Sequence, residues 1–360
     1  IGVICGAAAL DTQQDLSAGP GAVVLLSMAA TVLVAAFVLY RTRRDSAPIG
    51  WKRRWLGRLA RASLLLLVFV GLWVSLSVDT VRRLNRLGRW QPYFSPPSPE
   101  LPWLWRGCVK TNRLDGRQDL TDDDLICLRN FTDLETLNLW HTRITDAGLA
   151  ELRNLPWVRF LYLSSTKING EGFEHLATLP ALVQLELDST PTSDEHVASL
   201  RKLAGLRTLS LKNTPISDAA LSSIGKINRL GGLNLSGTKI TDAGLNQLQR
   251  LVSLGNLDLS NTQITGDGLP NLAPLVWLQH LDLSHTQISD ADLEKLPVLP
   301  RLNHLRLNGT RITDAGLQQL QKQPFLGLVE VRQTSVTADG VETFGKAMRA
   351  RPIGNCHVER

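Results

Sequence analysis

Nine threonines, Thr142, Thr166, Thr190, Thr214, Thr238, Thr262, Thr286, Thr310 and Thr334, each stand 24 residues after the last. The phrase around them runs from Leu134 to Val336 without insertion or deletion, opening as LETLNLWHTRITDAGLAEL and closing as LNHLRLNGTRITDAGLQQL. A fixed period constrains the fold more than any other property of this chain. A unit of 24 residues cannot bury its apolar face alone, so neighbouring units must stack into one continuous core. One elongated body is therefore expected in place of the about two to three ordinary domains that a chain of 360 residues suggests.

With the period known, each position becomes a column of nine residues that reports one place in the fold. The columns of Leu137 and Leu139 are leucine eight times, ending in Val329 and Val331, with mostly polar residues between and beside them. An apolar residue at every second place predicts a strand with one buried face. Three places past each threonine come Thr145, Asn169, Ser193, Ser217, Thr241, Thr265, Ser289, Thr313 and Thr337, all helix N-cap side chains. Asp follows in six of these nine, where a helix dipole favours an anion. Leu149, Leu152 and Leu155 then mark one short amphipathic helix, and Pro156, Pro180, Pro300 and Pro324 close several such helices. The expected architecture is an α/β solenoid with parallel strands about 4.8 Å apart on the concave side and short helices on the convex side. The repeated threonine is assigned to backbone groups in the turn that leaves the strand, and the glycines at Gly148, Gly172, Gly244 and Gly316 share the period and are read as structural.

Residues LETLNLWHTRITDAGLAEL, LRTLSLKNTPISDAALSSI and LGNLDLSNTQITGDGLPNL resemble the leucine-rich repeat, in the ITDxGL form of F-box-associated and many bacterial leucine-rich-repeat proteins. The resemblance covers about residues 120–344, with Thr in every unit where the family places Asn or Cys. It implies a curved horseshoe that serves as a binding scaffold. F-box function is not implied, since no F-box precedes the repeats.

The repeat domain is bounded as 107–360, with an N-terminal cap over 107–120 and a last edge strand or cap in GNCHVER. Cys127 falls in an otherwise polar column, which makes Cys108 and Cys127 candidates for a cap disulfide if the repeats face an oxidising compartment, with two free thiols as the alternative.

Charge divides sharply along the chain. Of the net +6, residues 1–106 hold 13 Lys/Arg against 5 Asp/Glu, and the remainder holds 26 against 28. A nucleic-acid surface needs a basic stripe on the folded body, which this division argues against. After a tail over 1–20, residues 21–40 form an uncharged run of bilayer length, and 62–78 form a second, shorter one. The loop 41–61 between them carries eight basic residues and one acid, so the positive-inside rule places it in the cytoplasm and the repeats outside. Residues 79–106, rich in Arg, Trp and Pro, read as a juxtamembrane stalk. The lipid bilayer is thus an expected partner and nucleic acid is not. A segment preceding Ile1 is also expected, with room for a further helix or domain.

Side chains for binding are sought in the columns of Thr136, Asn138, Trp140 and His141, on the exposed strand face. Trp140, His141, Phe160 and Tyr162 form an aromatic group suited to anchor a protein or peptide; the alternative is that they shelter the first strands. Farther along come Glu186 and Asp188 on one strand, Asp258 beside Asp282, and His280 beside His304 with Arg306. Imidazole and carboxylate suit a divalent cation or polar ligand, and the alternative is a solvated polar face in which Arg306 offsets the acids. No nucleophile elbow, Walker loop, dinucleotide turn, CxxC pair or HExxH occurs, and no cofactor or catalytic residue is expected. The reading is a membrane-anchored scaffold that binds a protein or other macromolecule on its concave face. A structural or adhesive envelope protein, or the ectodomain of a longer receptor or enzyme, are the alternatives.

Overall fold

A computed structural model of the chain describes residues 88–90, 113–131, 133–350 and 356–360. The apolar runs 21–40 and 62–78, the tail 1–20, most of the stalk 79–106, and Cys108 with the side chain of Cys127 lie outside these described residues. Among the described residues no helix is long and apolar enough to cross a membrane.

Among the described residues twelve short strands form one sheet in chain order. They are β1 (Gly88–Trp90), β2 (Arg113–Gly116), β3 (Thr136–Asn138), β4 (Phe160–Tyr162), β5 (Gln184–Glu186), β6 (Thr208–Ser210), β7 (Gly232–Asn234), β8 (Asn256–Asp258), β9 (His280–Asp282), β10 (His304–Arg306), β11 (Leu328–Glu330) and β12 (His357–Glu359). From β2 to β12 every pairing is parallel, and between β3 and β11 each residue faces its equivalent 24 positions on. The predicted C-terminal edge strand is β12. At the other end β2 supplies the strand that the sequence pattern hid, and β1 pairs with it antiparallel, so the sheet begins within the stretch read as stalk.

Packing follows the columns. Every leucine or valine in the columns of Leu137 and Leu139 is at most 3 % exposed, each contributing about 1.5–3 kcal/mol of burial. All nine residues of the His141 column take a left-handed conformation, with φ between 54 and 69°. That conformation turns the chain out of the strand, and the threonine that follows closes the turn. All nine Thr hydroxyls donate to the carbonyl three residues back, as from Thr142 to Leu139 at 2.7 Å and from Thr238 to Leu235 at 2.6 Å. The predicted role of this column therefore holds in every unit.

Helices on the convex side are shorter and tighter than the apolar spacing predicts, several being 3-10 throughout, as over Asp146–Asn154. Two N-cap expectations fail. Helices Phe173–Leu176 and Leu269–Leu272 start after Gly172 and Gly268 and not after Asn169 and Thr265. In both units the Asp column holds glycine, Gly170 and Gly266, so the acid that elsewhere follows the N-cap is absent at that position.

The Asp column does more than complement a helix dipole. Each carboxylate reaches into the next unit. Asp122 accepts from the amide and hydroxyl of Thr145 at 2.8 and 2.6 Å, and Asp194, Asp218, Asp242, Asp290 and Asp314 do the same for Ser217, Thr241, Thr265, Thr313 and Thr337. Asp146 accepts from the amides of Asn169, Gly170 and Gly172. These bonds staple successive helices, since hydrogen bonds to an ionised acceptor are stronger than neutral ones.

Charge segregates across the body. The seven residues leading into each strand from β4 to β11 carry ten Lys/Arg and no Asp/Glu. Summing charge along the chain conceals this basic edge, because the acids of the same repeats sit at the strand exits, on the helices and on the sheet face.

A two-part trough on the concave face

The sheet's exposed face carries two open depressions that meet at β5. One, of about 490 Å³, is lined by Arg113, Asn138, Trp140, His141, Tyr162 and Lys212 among others; the second, of about 470 Å³, by Asn234, Asn256, Asp258, His280, Asp282, His304 and Arg306 among others. Glu186 and Asp188 line both. Gly232 floors the second depression, in a column that elsewhere carries Thr, Phe, Gln, Asn, His and Leu.

In the first depression Trp140 is 53 % exposed and its ring stacks on His141 with centroids 4.5 Å apart. Asn138 holds that corner: its Oδ1 accepts from the Trp140 amide at 3.1 Å and its amide donates to Asp115 at 3.0 Å. Arg113 forks onto Asp115 and holds that carboxyl below its ordinary range. Burial pushes the Tyr162 hydroxyl upward, and the nearby Glu186 adds to the effect.

At the junction, burial raises the Glu186 carboxyl, opposed by a hydrogen bond from Gln184 and reinforced by Asp188. Asp188 accepts from the Ser210 hydroxyl and the Lys212 amide. Among the described residues no cationic side chain forms an ion pair with Glu186, Asp188 or Asp258.

The far end is different in kind. Glu330, 9 % exposed, accepts from Arg306 Nε at 2.8 Å, from Asn308 at 3.1 Å and pairs with His304 Nε2 at 2.8 Å. Burial pushes this carboxyl up, but the hydrogen bonds from Arg306, Asn308 and His304 outweigh it and bring it down to about 2. Arg306 also approaches Asp282 at 3.6 Å. His280 packs edge-on against His304 at 5.7 Å, and its pKa is lowered by burial, then by His304 and Arg306.

A family model described as a leucine-rich repeat region matches residues 126–347. The chain belongs to the leucine-rich repeat family. Among solved structures it is similar to an internalin, InlF, of Listeria monocytogenes, at 20 % identity over 69 % of this chain and 86 % of that one, with a TM-score of 0.44. The internalin InlC2 of the same organism is similar at 23 % identity over 66 % and 84 %, with a TM-score of 0.38. No curated protein matches the chain by sequence.

Within this leucine-rich repeat body the expected groupings are rearranged. Trp140, His141 and Tyr162 share the first depression, but Phe160 lies in the Thr136 column, at the other end of its strand, and lines neither depression. Its ring is covered instead by Arg159, at 5.5 Å from the centroid. Asp258 faces Asp282 and His280 faces His304, as the columns require. Their polar atoms are largely engaged by the protein itself. Asp258 and Asp282 accept from the amides of Ser260 and Ser284 at 2.9 Å each, and His304 is held by Glu330. Among the described residues no group of three or more His, Cys, Asp or Glu side chains is disposed to hold a metal ion.

Two features of the trough are not among the residues expected from the sequence. Glu330 stands in the column of Asn138, one unit past Arg306, and was detectable as the acid that the column places beside that arginine. Gly232 was detectable as the one glycine in a column of larger side chains. The Trp140 column, expected on the exposed face, exposes its long members and buries its serines: Ser164, Ser236, Ser260 and Ser284 are 8, 3, 7 and 5 % exposed.

Proposed function

We propose that the chain is a membrane-anchored leucine-rich-repeat scaffold that captures a protein partner on its concave face, outside the cytoplasm. It acts by binding and not by catalysis. The observation that carries this reading is the junction of the trough. There an exposed, stacked Trp140 and a half-buried Tyr162 stand beside Glu186 and Asp188, two carboxylates without a cationic partner among the described residues. Aromatic anchors beside unspent charge suit a partner that brings apolar side chains and a cationic group together. Anchoring and orientation rest on the two apolar runs and the basic loop between them.

The test is affinity capture with the full chain, comparing wild type with the Trp140→Ala/Tyr162→Ala double variant by quantitative mass spectrometry. Loss of one captured protein is expected, and an unchanged set counts against the aromatic site. A reporter fused after Arg360 that is active only in the cytoplasm would contradict the orientation.

A further inference from the structure

Among the described residues, six of the eight exposed large apolar side chains lie together on the turns that bring the chain from helix back to strand: Trp157, Val252, Val276, Trp277, Val298 and Phe325, between 43 and 62 % exposed. These turns form one edge of the solenoid. Backbone bonds run along it from unit to unit, as from Gly255 to Gly231, Gln279 to Gly255 and Asn303 to Gln279, so the turns stack in register. The same edge holds the ten Lys/Arg and no acid noted above. Apolar and basic groups interleave: the Arg301 guanidinium lies 3.6 Å over the Trp277 ring, keeping its charge at the surface. Three of the ten cations are otherwise engaged, Lys202 with Glu174, Lys322 with the carbonyls of Leu293 and Glu294, and Arg159 over the Phe160 ring.

We propose that this edge docks on the headgroup layer of an anionic bilayer. A surface of Trp, Phe and Val among cations with no acid matches the boundary between charged headgroups and acyl chains. Nucleic acid would be drawn by the same cations, but phosphates and bases give the valines nothing to contact. The chain itself brings a bilayer close: nine residues, 79–87, separate the second apolar run from β1, a span of about 30 Å at full extension. A short tether gives the edge a high effective concentration of membrane, so modest intrinsic affinity suffices. To that extent the docking rests on the anchoring proposed above. Because the edge is neither the sheet face nor the helix face, the trough stays open while the body is docked.

The experiment uses the full chain with its four cysteines replaced by serine and one new cysteine, Val276→Cys on this edge or Gln263→Cys on the opposite one, labelled with a polarity-sensitive fluorophore. The labelled chain is reconstituted in lipid nanodiscs of phosphatidylcholine with or without phosphatidylglycerol. In anionic discs the label at 276 is expected to shift to the blue and to be quenched by headgroup-region spin-labelled lipid, while the label at 263 is not. Reversing Arg229, Arg250 and Arg301 to Glu is expected to weaken docking by roughly 100-fold or more, at about fivefold per cation. Equal signals from 276 and 263 in anionic discs overturn the proposal, as does displacement of the 276 label by stoichiometric duplex DNA or RNA, which would assign the edge to nucleic acid. Incorporation into discs is scored separately by co-elution. A chain that fails to incorporate refutes the anchoring, and the label is then read with preformed anionic vesicles, where absence of a blue shift overturns the docking by itself.

Discussion

Asp218 and Gly244 compete for one space: a Cβ on Gly244 would lie 2.3 Å from Asp218 Oδ1. The same relation joins Asp122 to Gly148, Asp242 to Gly268, Asp290 to Gly316 and Asp314 to Gly340. Where the acid is absent, at Gly170 and Gly266, the facing position carries His196 and Asp292. Asp194 faces Ala220, so a single methyl is accommodated at that step. A larger side chain has no room beside the carboxylate. Gly244→Val is expected to destabilise the fold by about 1–3 kcal/mol through overpacking. Adding Asp218→Gly should recover part of the loss, and a double-mutant cycle with no coupling between the two sites would overturn the relation.

Thr238 illustrates the turn column. Its side chain is 5 % exposed and its hydroxyl donates to Leu235 O at 2.6 Å. Thr238→Val keeps the shape and leaves that carbonyl without the hydroxyl, a loss of about 1–3 kcal/mol. The denaturant midpoint should fall while capture of a partner in the trough is unchanged. An unaltered midpoint removes the assigned role.

Gly237 tests the left-handed position that precedes it. Its φ is 69°, and a Cβ there would meet Asn213 Oδ1 at 2.2 Å. Gly237→Ala is therefore expected to cost about 1–2 kcal/mol, whereas Ser165→Gly, at φ 56°, should be neutral or mildly stabilising. Thermal melts of the two variants should move apart; a shared direction would contradict the strain argument.

Glu330 gives a pH dependence with a definite sign. Its carboxyl is lowered from 4.5 to about 2 in the folded chain, so its contribution is present above the ordinary value and is lost as pH falls toward about 2. A carboxyl held that low corresponds to on the order of 3 kcal/mol near neutrality. Glu330→Gln should lower the urea midpoint at pH 7, with the gap to wild type closing progressively on acidification below about pH 4.5. A gap of constant size across that range would show that the pairing with Arg306 and His304 is not what lowers the carboxyl.

Much of the fold was legible because the units report on each other. Leu137 and its equivalents mark the buried strand face, the threonines mark the turn, and the columns by themselves set His280 beside His304. What escaped lies between columns. The Asp218 to Gly244 relation spans 26 residues and two columns that each look self-sufficient, the acid as a dipole partner and the glycine as a structural residue that shares the period. Phe160 was grouped with Trp140 by unit, although its place in the Thr136 column already set it at the other end of the strand. The basic edge was hidden by summing charge along the chain instead of around the repeat. Strand β2 was invisible because its only core residue matching the pattern is Leu114, with Gly116 where the next leucine would stand.

The carboxylate staples fail at two steps. Ser193 meets only a backbone carbonyl of the preceding unit, Asn169 O at 3.3 Å, its hydroxyl being bonded within its own unit to His196 Nδ1 at 2.9 Å, and Ser289 is bonded within its own unit to Asp292 at 2.7 Å. The body is thus divided by two seams into three blocks, each stapled internally and joined to the next by sheet bonds, leucine packing and an exposed ion pair, Lys202 to Glu174 at the first seam and Lys295 to Asp267 at the second. Drawn from its ends, such a body should part in steps at those seams, with the central block of units, which holds most of the trough, the last to give way.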